Sequence, residues 1–369
     1  MLHPPVDLKI FLAVIHILHS ILAVKILPLL VSISLKYTKK SAARIEPGKN
    51  IIPVLKNWLF ILLLSLPGQC LIAQGDGPRG FLLSPAGLWG INAKWINLNQ
   101  NLLPSGSILI KDADIRVNVF PTTVFHTFGI KGRFAQVILM VNPGYASGTV
   151  VPDQPGIPSP ELNASGIADG VIGMKIGLIG APSLNIAEFA KHAPAFSLMG
   201  YFRLWYSGNY NSEQLLNMGT NRFTFEFGFP MSMPLYNSDR HTLWLEVFPS
   251  VQFFTTNNDP TIIAQAEESH QLPLFLIENH LTYNVFPKLW AGIDLRYQYG
   301  GELELDGEKQ DNRNNILGGG VSAGYQFFPF LSGSASYGSI LFGDNGAESQ
   351  MIRVSLVFIY ANTKKIKGQ

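Results

Sequence analysis

Charged residues are scarce in this sequence. They make up 14% of the 369 residues, against roughly 25% in ordinary soluble domains, while 47% of the residues are hydrophobic. The net charge of +2 gives no reason to expect nucleic acid or another polyanion as a partner.

Long apolar runs are missing from most of the chain. The mean hydropathy of +0.19 normally indicates transmembrane helices. However, no uninterrupted apolar run beyond residue 75 approaches the roughly 18 residues that a spanning helix needs. The hydrophobicity of this part is spread over short alternating segments, which is typical of strands.

Cysteine is nearly absent, because Cys70 is the only one, and it lies in a hydrophobic leader at residues 1–74. Lys56, the apolar stretch 58–66 and Ala73 predict a secretory signal peptide that is cut before Gln74. The mature chain would then hold no cysteine, which excludes disulfides.

A second apolar piece lies upstream, at residues 11–35, and is followed by a basic flank. It has the features of a transmembrane helix. Because two export-type segments in tandem are redundant, we expect part of the leader to lie upstream of the true start of the protein. A real N-terminal helix is the alternative.

Alternation of aromatic and polar residues is clearest at residues 221–229. Phenylalanine occupies positions 223, 225, 227 and 229, and the residues between them are Thr224, Glu226 and Gly228. A strand sends successive side chains to opposite faces, so this segment has one aromatic face and one polar face. Such a strand packs its aromatic face on a soluble core or turns it toward lipid around a wet lumen.

The same pattern recurs from about residue 85 to residue 360 and predicts about twelve strands. Short turns, such as 237–240 and 286–288, alternate with longer polar loops, such as 257–271 and 306–312. Outer-membrane barrels have this asymmetry. Aromatic residues near the strand ends are typical of an interfacial girdle; they are Trp290, Phe327, Tyr206, Phe253, Phe254 and Tyr299.

We therefore predict an all-β fold, a transmembrane antiparallel β-barrel with an up-and-down meander of about 12 strands. The signal peptide precedes it, the barrel occupies residues 75–361, and a short polar tail follows at 362–369. A soluble β-sandwich or propeller is the alternative, but it does not explain so many uncharged aromatic faces behind a signal peptide.

Several short segments also carry a family resemblance. They are residues 77–87, Asp112 with Asp114, 180–182 with 188–190, 219–222, 253–259 and 299–301. In their order and spacing they resemble the putative MetA-pathway of phenol degradation family, from about Gly77 to Tyr360. The resemblance implies an outer-membrane transporter-like barrel linked to the degradation of aromatic compounds, and it brings no catalytic residues. The leader and the tail depart from the family pattern.

Motifs that carry catalysis lack their structural context in this sequence. It has no phosphate-binding loop, and its Gly-x-Ser-x-Gly spacing at 320–324 and its Gly-x-Gly-x-x-Gly spacing at 75–80 lie within or before a predicted strand rather than at a strand-to-helix turn. No histidine pair beyond the leader has the spacing of a metal site. We expect no enzymatic activity, no metal and no cofactor.

Charged residues on the polar faces of the strands are the candidate lumen residues. They are Arg222, Glu226, Glu246, Glu278, His280, Asp294, Arg296, Asp112, Asp114 and Arg116. Glu278 and His280 are two residues apart, and we expect a solvated pair rather than an acid–base site. Asp112 and Asp114 could hold a cation, but pairing with Arg116 is the simpler expectation.

These features predict a passive outer-membrane channel or transporter for small organic molecules, with aromatic compounds among the candidates. Its partners would be outer-membrane lipid and the small organic solute, without nucleic acid. Selectivity would come from the pore width, the lumenal charges and the external loops. The alternatives are a structural or surface barrel without transport and, less favoured, a barrel-bound hydrolase with a serine–histidine pair facing lipid.

Overall fold

The computed structural model describes residues 76–102, 113–150, 161–238 and 241–361. The predicted leader at 1–74, the tail at 362–369 and Asp112 lie outside these residues. In the described part of the chain, no helix is long and apolar enough to cross a membrane.

Strands dominate the described part of the chain. They are β1 (Leu88–Gln100), β2 (Ala113–Val119), β3 (Thr122–Ile130), β4 (Arg133–Val150), β5 (Glu161–Ile179), β6 (Ser197–Tyr206), β7 (Thr224–Gly228), β8 (Met231–Asn237), β9 (Thr242–Phe254), β10 (Ser269–Gln271), β11 (Leu274–Phe286), β12 (Leu289–Gly300), β13 (Leu303–Leu305), β14 (Glu308–Lys309), β15 (Asn314–Phe328), β16 (Leu331–Gly343) and β17 (Ser349–Ala361). The helix α1 (Ile186–Phe189) and the 3₁₀ turns Ile262–Ala264 and Asp344–Gly346 complete the elements.

Two of the barrel strands are interrupted by a proline. Pro121 separates β2 from β3, and Pro230 separates β7 from β8. A proline cannot donate to the ladder, so it favours a break or a bulge in a strand. The two halves of each interrupted strand still lie between the same pair of neighbours, namely β1 and β4 for β2–β3, and β6 and β9 for β7–β8.

The main sheet closes on itself into a barrel. When each interrupted strand is counted once, twelve antiparallel strands follow one another in chain order around the wall, and β17 pairs with β1 along its whole length, from Leu88↔Ala361 to Gln100↔Ser349. Closure leaves no unpaired strand edge, as lipid requires. The predicted up-and-down barrel is confirmed.

The two ends of the barrel differ in the length of their connections. At the turn end, neighbouring strands are joined by short links such as residues 131–132, 287–288 and 329–330. The exception there is 180–196, which carries α1 with a capping box of Asn185 and Glu188. At the loop end the connections are longer, and β10, β13 and β14 form a small separate sheet.

The outer surface of the wall is apolar. Side chains that point outward include Phe225, Phe227 and Leu295, and Phe227 is 48% exposed, although water-soluble proteins seldom expose so many large apolar residues. Of the predicted girdle residues, Phe253, Tyr299 and Phe327 are exposed on this surface. The prediction is wrong for Trp290 and Phe254, because both line cavities inside the barrel.

Candidate functional site

The barrel interior collects most of the charged residues that the alternation pattern singled out. These side chains are buried within the bore, and they are Arg222, Glu226, Glu246, Glu278, His280 and Asp294, with Arg296 partly buried beside them. That these residues line a permeation path stays a prediction.

Arg203 and Glu226 form an ion pair across the β6–β7 ladder. The two residues are direct register partners, and a guanidinium nitrogen of Arg203 lies 2.6 Å from a carboxylate oxygen of Glu226. Ser250 and Gln252 of β9 also donate to this carboxylate, at 2.8 and 3.1 Å. A buried charge is tolerated because its partners replace water.

A second group of charges spans β9, β11 and β12. His280 is the register partner of Asp294 on one side and of Glu246 on the other, and its Nδ1 lies 2.7 Å from an Asp294 oxygen. Glu278 is paired in register with Arg296, and their nearest charged atoms are 3.6 Å apart. These pairs form because side chains directly opposite each other in a ladder are close enough to interact.

Residues 76–86, hereafter the plug segment, lie inside the barrel. The segment leads into β1 at the turn end, and its backbone is held there by contacts such as Ala86 N to the Leu184 carbonyl, at 2.8 Å. At its other extremity, the Asp76 carboxylate pairs with Arg203 at 2.8 Å. The segment therefore reaches from the turn end to the ion pair of Arg203 and Glu226 in the bore.

Glu246 is the main polar anchor of the plug segment. Its two carboxylate oxygens accept hydrogen bonds from the backbone N–H groups of Arg79 and Phe81, at 2.7 and 3.0 Å. On the opposite side, the Lys175 ammonium donates to the Gly80 carbonyl at 2.9 Å. Wall side chains thus supply the partners that the irregular backbone lacks, since a buried backbone group without a partner is costly.

Apolar and aromatic contacts also hold the plug segment. Phe81 is 2% exposed, and its ring centroid lies 4.7 Å from that of Phe248. The Arg79 guanidinium stacks over Trp290 at 4.9 Å. Gly77 has a φ of +89°, a backbone conformation that side-chain-bearing residues rarely adopt, so the turn of the plug segment at this position favours glycine.

Two cavities lie on either side of the plug segment. The loop-side cavity has a volume of about 240 Å³, and its lining includes Arg222, Phe254 and Met218. The turn-side cavity has a volume of about 370 Å³ and is lined in part by Lys288 and Gln326. Asp76 and Lys94 border both cavities.

Asp114 and Arg116 do not face the bore, and their predicted lumenal position is wrong. Both side chains are exposed, whereas Ile115 and Val117 between and beside them are fully buried. The buried pair packs inside the loop end of the barrel against a cluster that includes Leu98. The wall here has its apolar face inward and its polar face outward, the arrangement expected where strands extend beyond lipid into water.

Sequence reasoning missed several charged residues of the bore. Lys94, Lys175 and Arg203 lie on the polar faces of predicted strands, so the alternation that selected the other residues could also have selected them. Asp76 precedes the first strand and has no periodic signal. Its place in the bore depends on Arg203, which is 127 positions away in the sequence.

No metal centre is apparent in the described residues, where no group of three or more histidine, cysteine, aspartate or glutamate side chains is placed to hold an ion. The bore instead offers paired charges, hydrogen-bonding groups and two cavities.

Several solved structures are similar to this chain. An outer membrane channel from Pseudomonas putida F1 is 18% identical, with a TM-score of 0.61; the match covers 78% of this chain and 100% of that one. Two further structures are more distant. The β domain of the Bordetella autotransporter BrkA is 10% identical with a TM-score of 0.44, and the match covers 74% of this chain and 99% of that one. The translocator domain of the autotransporter NalP from Neisseria meningitidis is 12% identical with a TM-score of 0.44, and the match covers 76% of this chain and 90% of that one. The similarity to the Pseudomonas putida channel supports the barrel fold.

The comparison with curated proteins gives no match. This protein, a closed barrel with an apolar outer surface, is a protein of the Gram-negative outer membrane. A family model, described as Putative MetA-pathway of phenol degradation, matches residues 117–354. Because this match spans well over half of the sequence, the chain belongs to the putative MetA-pathway of phenol degradation family.

Proposed function

We propose that this protein is a passive channel for small organic molecules and that the plug segment sets its aperture. The observation that carries the proposal is the pair of cavities inside one closed barrel, which meet at Asp76 and Lys94, while residues 76–80 line the turn-side cavity. A solute would enter one cavity, pass the plug segment and leave through the other, down its concentration gradient. The family description points to aromatic compounds as candidate solutes.

The charges of the bore suit a channel that selects its solutes by electrostatics and does not convert them chemically. Arg203, Glu226, Glu278 and Arg296 are held in ion pairs, and such pairs narrow the bore while keeping it polar. A solute that passes them exchanges its hydration for these fixed groups, and no bond is made or broken.

Planar-bilayer recording on refolded protein tests the proposal. We expect small, discrete conductance steps for the wild type and a larger step for a variant that lacks residues 76–80, because the deletion joins the two cavities. The deletion leaves Phe81 and every strand pairing of the wall in place, so the barrel should fold. A wild type and a deletion variant that both give no conductance would contradict the proposal.

A closed structural or surface barrel is the second candidate function. The anchoring of the plug segment by Glu246, Lys175 and Arg203 favours it, since each of these contacts opposes opening. Folded barrels that never conduct, with or without the plug segment, would support this candidate.

A barrel-bound hydrolase is not favoured. It would need a serine–histidine pair that faces lipid. His126 lies on the outer face, but its Nδ1 contacts the Leu88 carbonyl at 2.9 Å, and its ring stacks on Trp89 with the centroids 4.3 Å apart. His280 contacts the carboxylates of Asp294 and Glu278 inside the bore. We propose that the protein is not an enzyme.

A further inference from the structure

The loop-side cavity has an extended apolar wall. Six side chains supply it from different strands and from the loop end, and they are Leu98, Met140, Met218, Phe254, Leu274 and Met351. A cavity with this lining favours the apolar body of a ligand, because apolar surface leaves water there. Methionine side chains adapt readily to ligands of different shape.

A buried cation lies beside this wall. Arg222 is 6% exposed and lines the loop-side cavity. Its guanidinium donates to the side-chain oxygen of Gln271 and sits 4.5 Å from the ring centroid of Phe254. Its Nε is buried and has no hydrogen-bond partner.

Arg222 has no direct counter-ion in the described part of the chain. No ion pair within 4.0 Å involves it there. Asp169 lines the same cavity, but its carboxylate accepts hydrogen bonds from the Gly208 and Thr220 N–H groups and the Thr220 hydroxyl, at 3.0, 2.9 and 2.5 Å. A buried charge without a paired partner is costly, and an anion in the cavity would remove that cost.

The charge balance of the cavity agrees with this interpretation. Its charged lining consists of four cations and three carboxylates, which are Lys94, Arg203, Arg222 and Arg296 against Asp76, Asp169 and Glu278. Arg203 and Arg296 are engaged with Glu226, Asp76 and Glu278, and the Lys94 ammonium donates to the Asp76 carbonyl at 3.4 Å. Arg222 is therefore the cation that is best placed to meet a ligand.

We propose that the loop-side cavity is a binding site for a small amphipathic carboxylate, and this inference rests on the proposed channel function. The carboxylate of the ligand pairs with the Arg222 guanidinium, which suits a planar carboxylate geometrically. The apolar body lies on Phe254 and the methionine wall. At about 240 Å³ the cavity is smaller than the roughly 300–1,000 Å³ of sites for drug-sized ligands, so the ligand has a single ring or a short chain.

Calorimetric titration of the folded, detergent-solubilised protein with benzoate and benzyl alcohol tests the site. The two probes share a ring and differ in charge. We expect the wild type to bind benzoate at least about tenfold more tightly, the range of one charge-assisted hydrogen bond. The variant R222Q should lose this preference. R116Q is the matched control, because Arg116 is exposed on the outside of the barrel, and it should bind like the wild type.

The variant F254A locates the site through its apolar wall. It removes an apolar contact that both probes share, so it should weaken both to a similar degree. Equal binding of the two probes by the wild type, or an unchanged benzoate preference in folded R222Q, would overturn the proposal. Unchanged binding of both probes in F254A would place the ligand elsewhere and overturn it too. If R222Q does not fold, the wild-type comparison and F254A still decide the matter.

The channel and the binding site can fail separately. A wild type that conducts in bilayers but does not prefer benzoate would refute the carboxylate site and leave the channel function intact. A wild type that prefers benzoate as expected but never conducts would refute the channel function alone.

Discussion

Glu246 connects the barrel wall to the plug segment at the level of single residues. It is fully buried, and both of its oxygens accept N–H groups of the plug segment. Its register partner His280 is in turn hydrogen-bonded to Asp294. The Glu246 side chain thus connects the charged residues of the wall to the backbone of the plug segment.

Replacing Glu246 by glutamine should loosen the plug segment. The amide offers one acceptor oxygen, and its NH₂ group faces the other N–H donor, so one hydrogen bond is lost and a buried donor is left unpaired. We expect a loss of about 1–3 kcal/mol in the free energy of unfolding, measured by urea denaturation in micelles, together with larger or more frequent conductance steps.

The control for this variant is E267Q. Glu267 is an exposed loop residue, and the same chemical change there should alter neither stability nor conductance. An E246Q variant with the same stability and the same conductance as the wild type would show that Glu246 does not hold the plug segment.

At the scale of the element, β7 shows how a period of two divides a strand between lipid and bore. Thr224 lines the loop-side cavity, while the adjacent Phe225 is 36% exposed on the outer surface. A slip of one residue in the pairing with β6 and β9 would exchange these environments.

Single cysteines at neighbouring positions of β7 test this register. In a background without Cys70, T224C should react with a water-soluble thiol reagent in reconstituted membranes, because Thr224 lines the loop-side cavity of the bore. F225C should react only with a lipid-permeant reagent. Labelling rates followed by mass spectrometry are the measurement, and faster aqueous labelling of F225C than of T224C would contradict the register.

At the scale of the whole molecule, an even number of strands brings the start of the first strand and the end of the last strand to the same end of the barrel. Leu88 and Ala361 are paired at the turn end, and the longer connections, including the small sheet of β10, β13 and β14, lie at the other end. In outer-membrane barrels the short turns are periplasmic and the long loops external.

An epitope tag after Gly307, in the exposed turn between β13 and β14, should therefore be detected on intact cells. A tag between Lys131 and Gly132, in the turn between β3 and β4, should be detected only after the outer membrane is permeabilised. The reverse result would invert the proposed orientation.

The start of the mature protein is also a question for the whole molecule. We propose that the leader is removed before Gln74, as the signal-peptide pattern predicts. Because Asp76 lies in the bore, such a chain would carry its amino terminus inside the barrel. Intact-mass analysis of protein isolated from outer membranes should give a chain that begins at Gln74. A chain that retains residues 1–73 would refute the proposal.

The sequence by itself determined the wall of this barrel. Side-chain direction along a strand is a local property of the backbone, so alternation at residues 221–229 was enough to place Phe225 and Glu226 on opposite faces of the wall. The recurrence of the pattern along the chain then assigned the aromatic face to lipid. The number of strands and the unequal ends followed from the same pattern together with the turn signals. Cross-strand pairs such as Glu278 with Arg296 were within reach, because hairpin neighbours in the sequence are neighbours in the wall.

Only the tertiary structure decided what fills the bore. The plug segment has no periodicity, and its position depends on Glu246 and Arg203, which are far away in the chain. Alternation also cannot say which face of a strand points inward. At β2 the wall continues beyond the lipid, so Ile115 packs inside while Asp114 meets water. These outcomes depend on long-range packing and on the solvent around each part of the wall, and neither is encoded in local spacing.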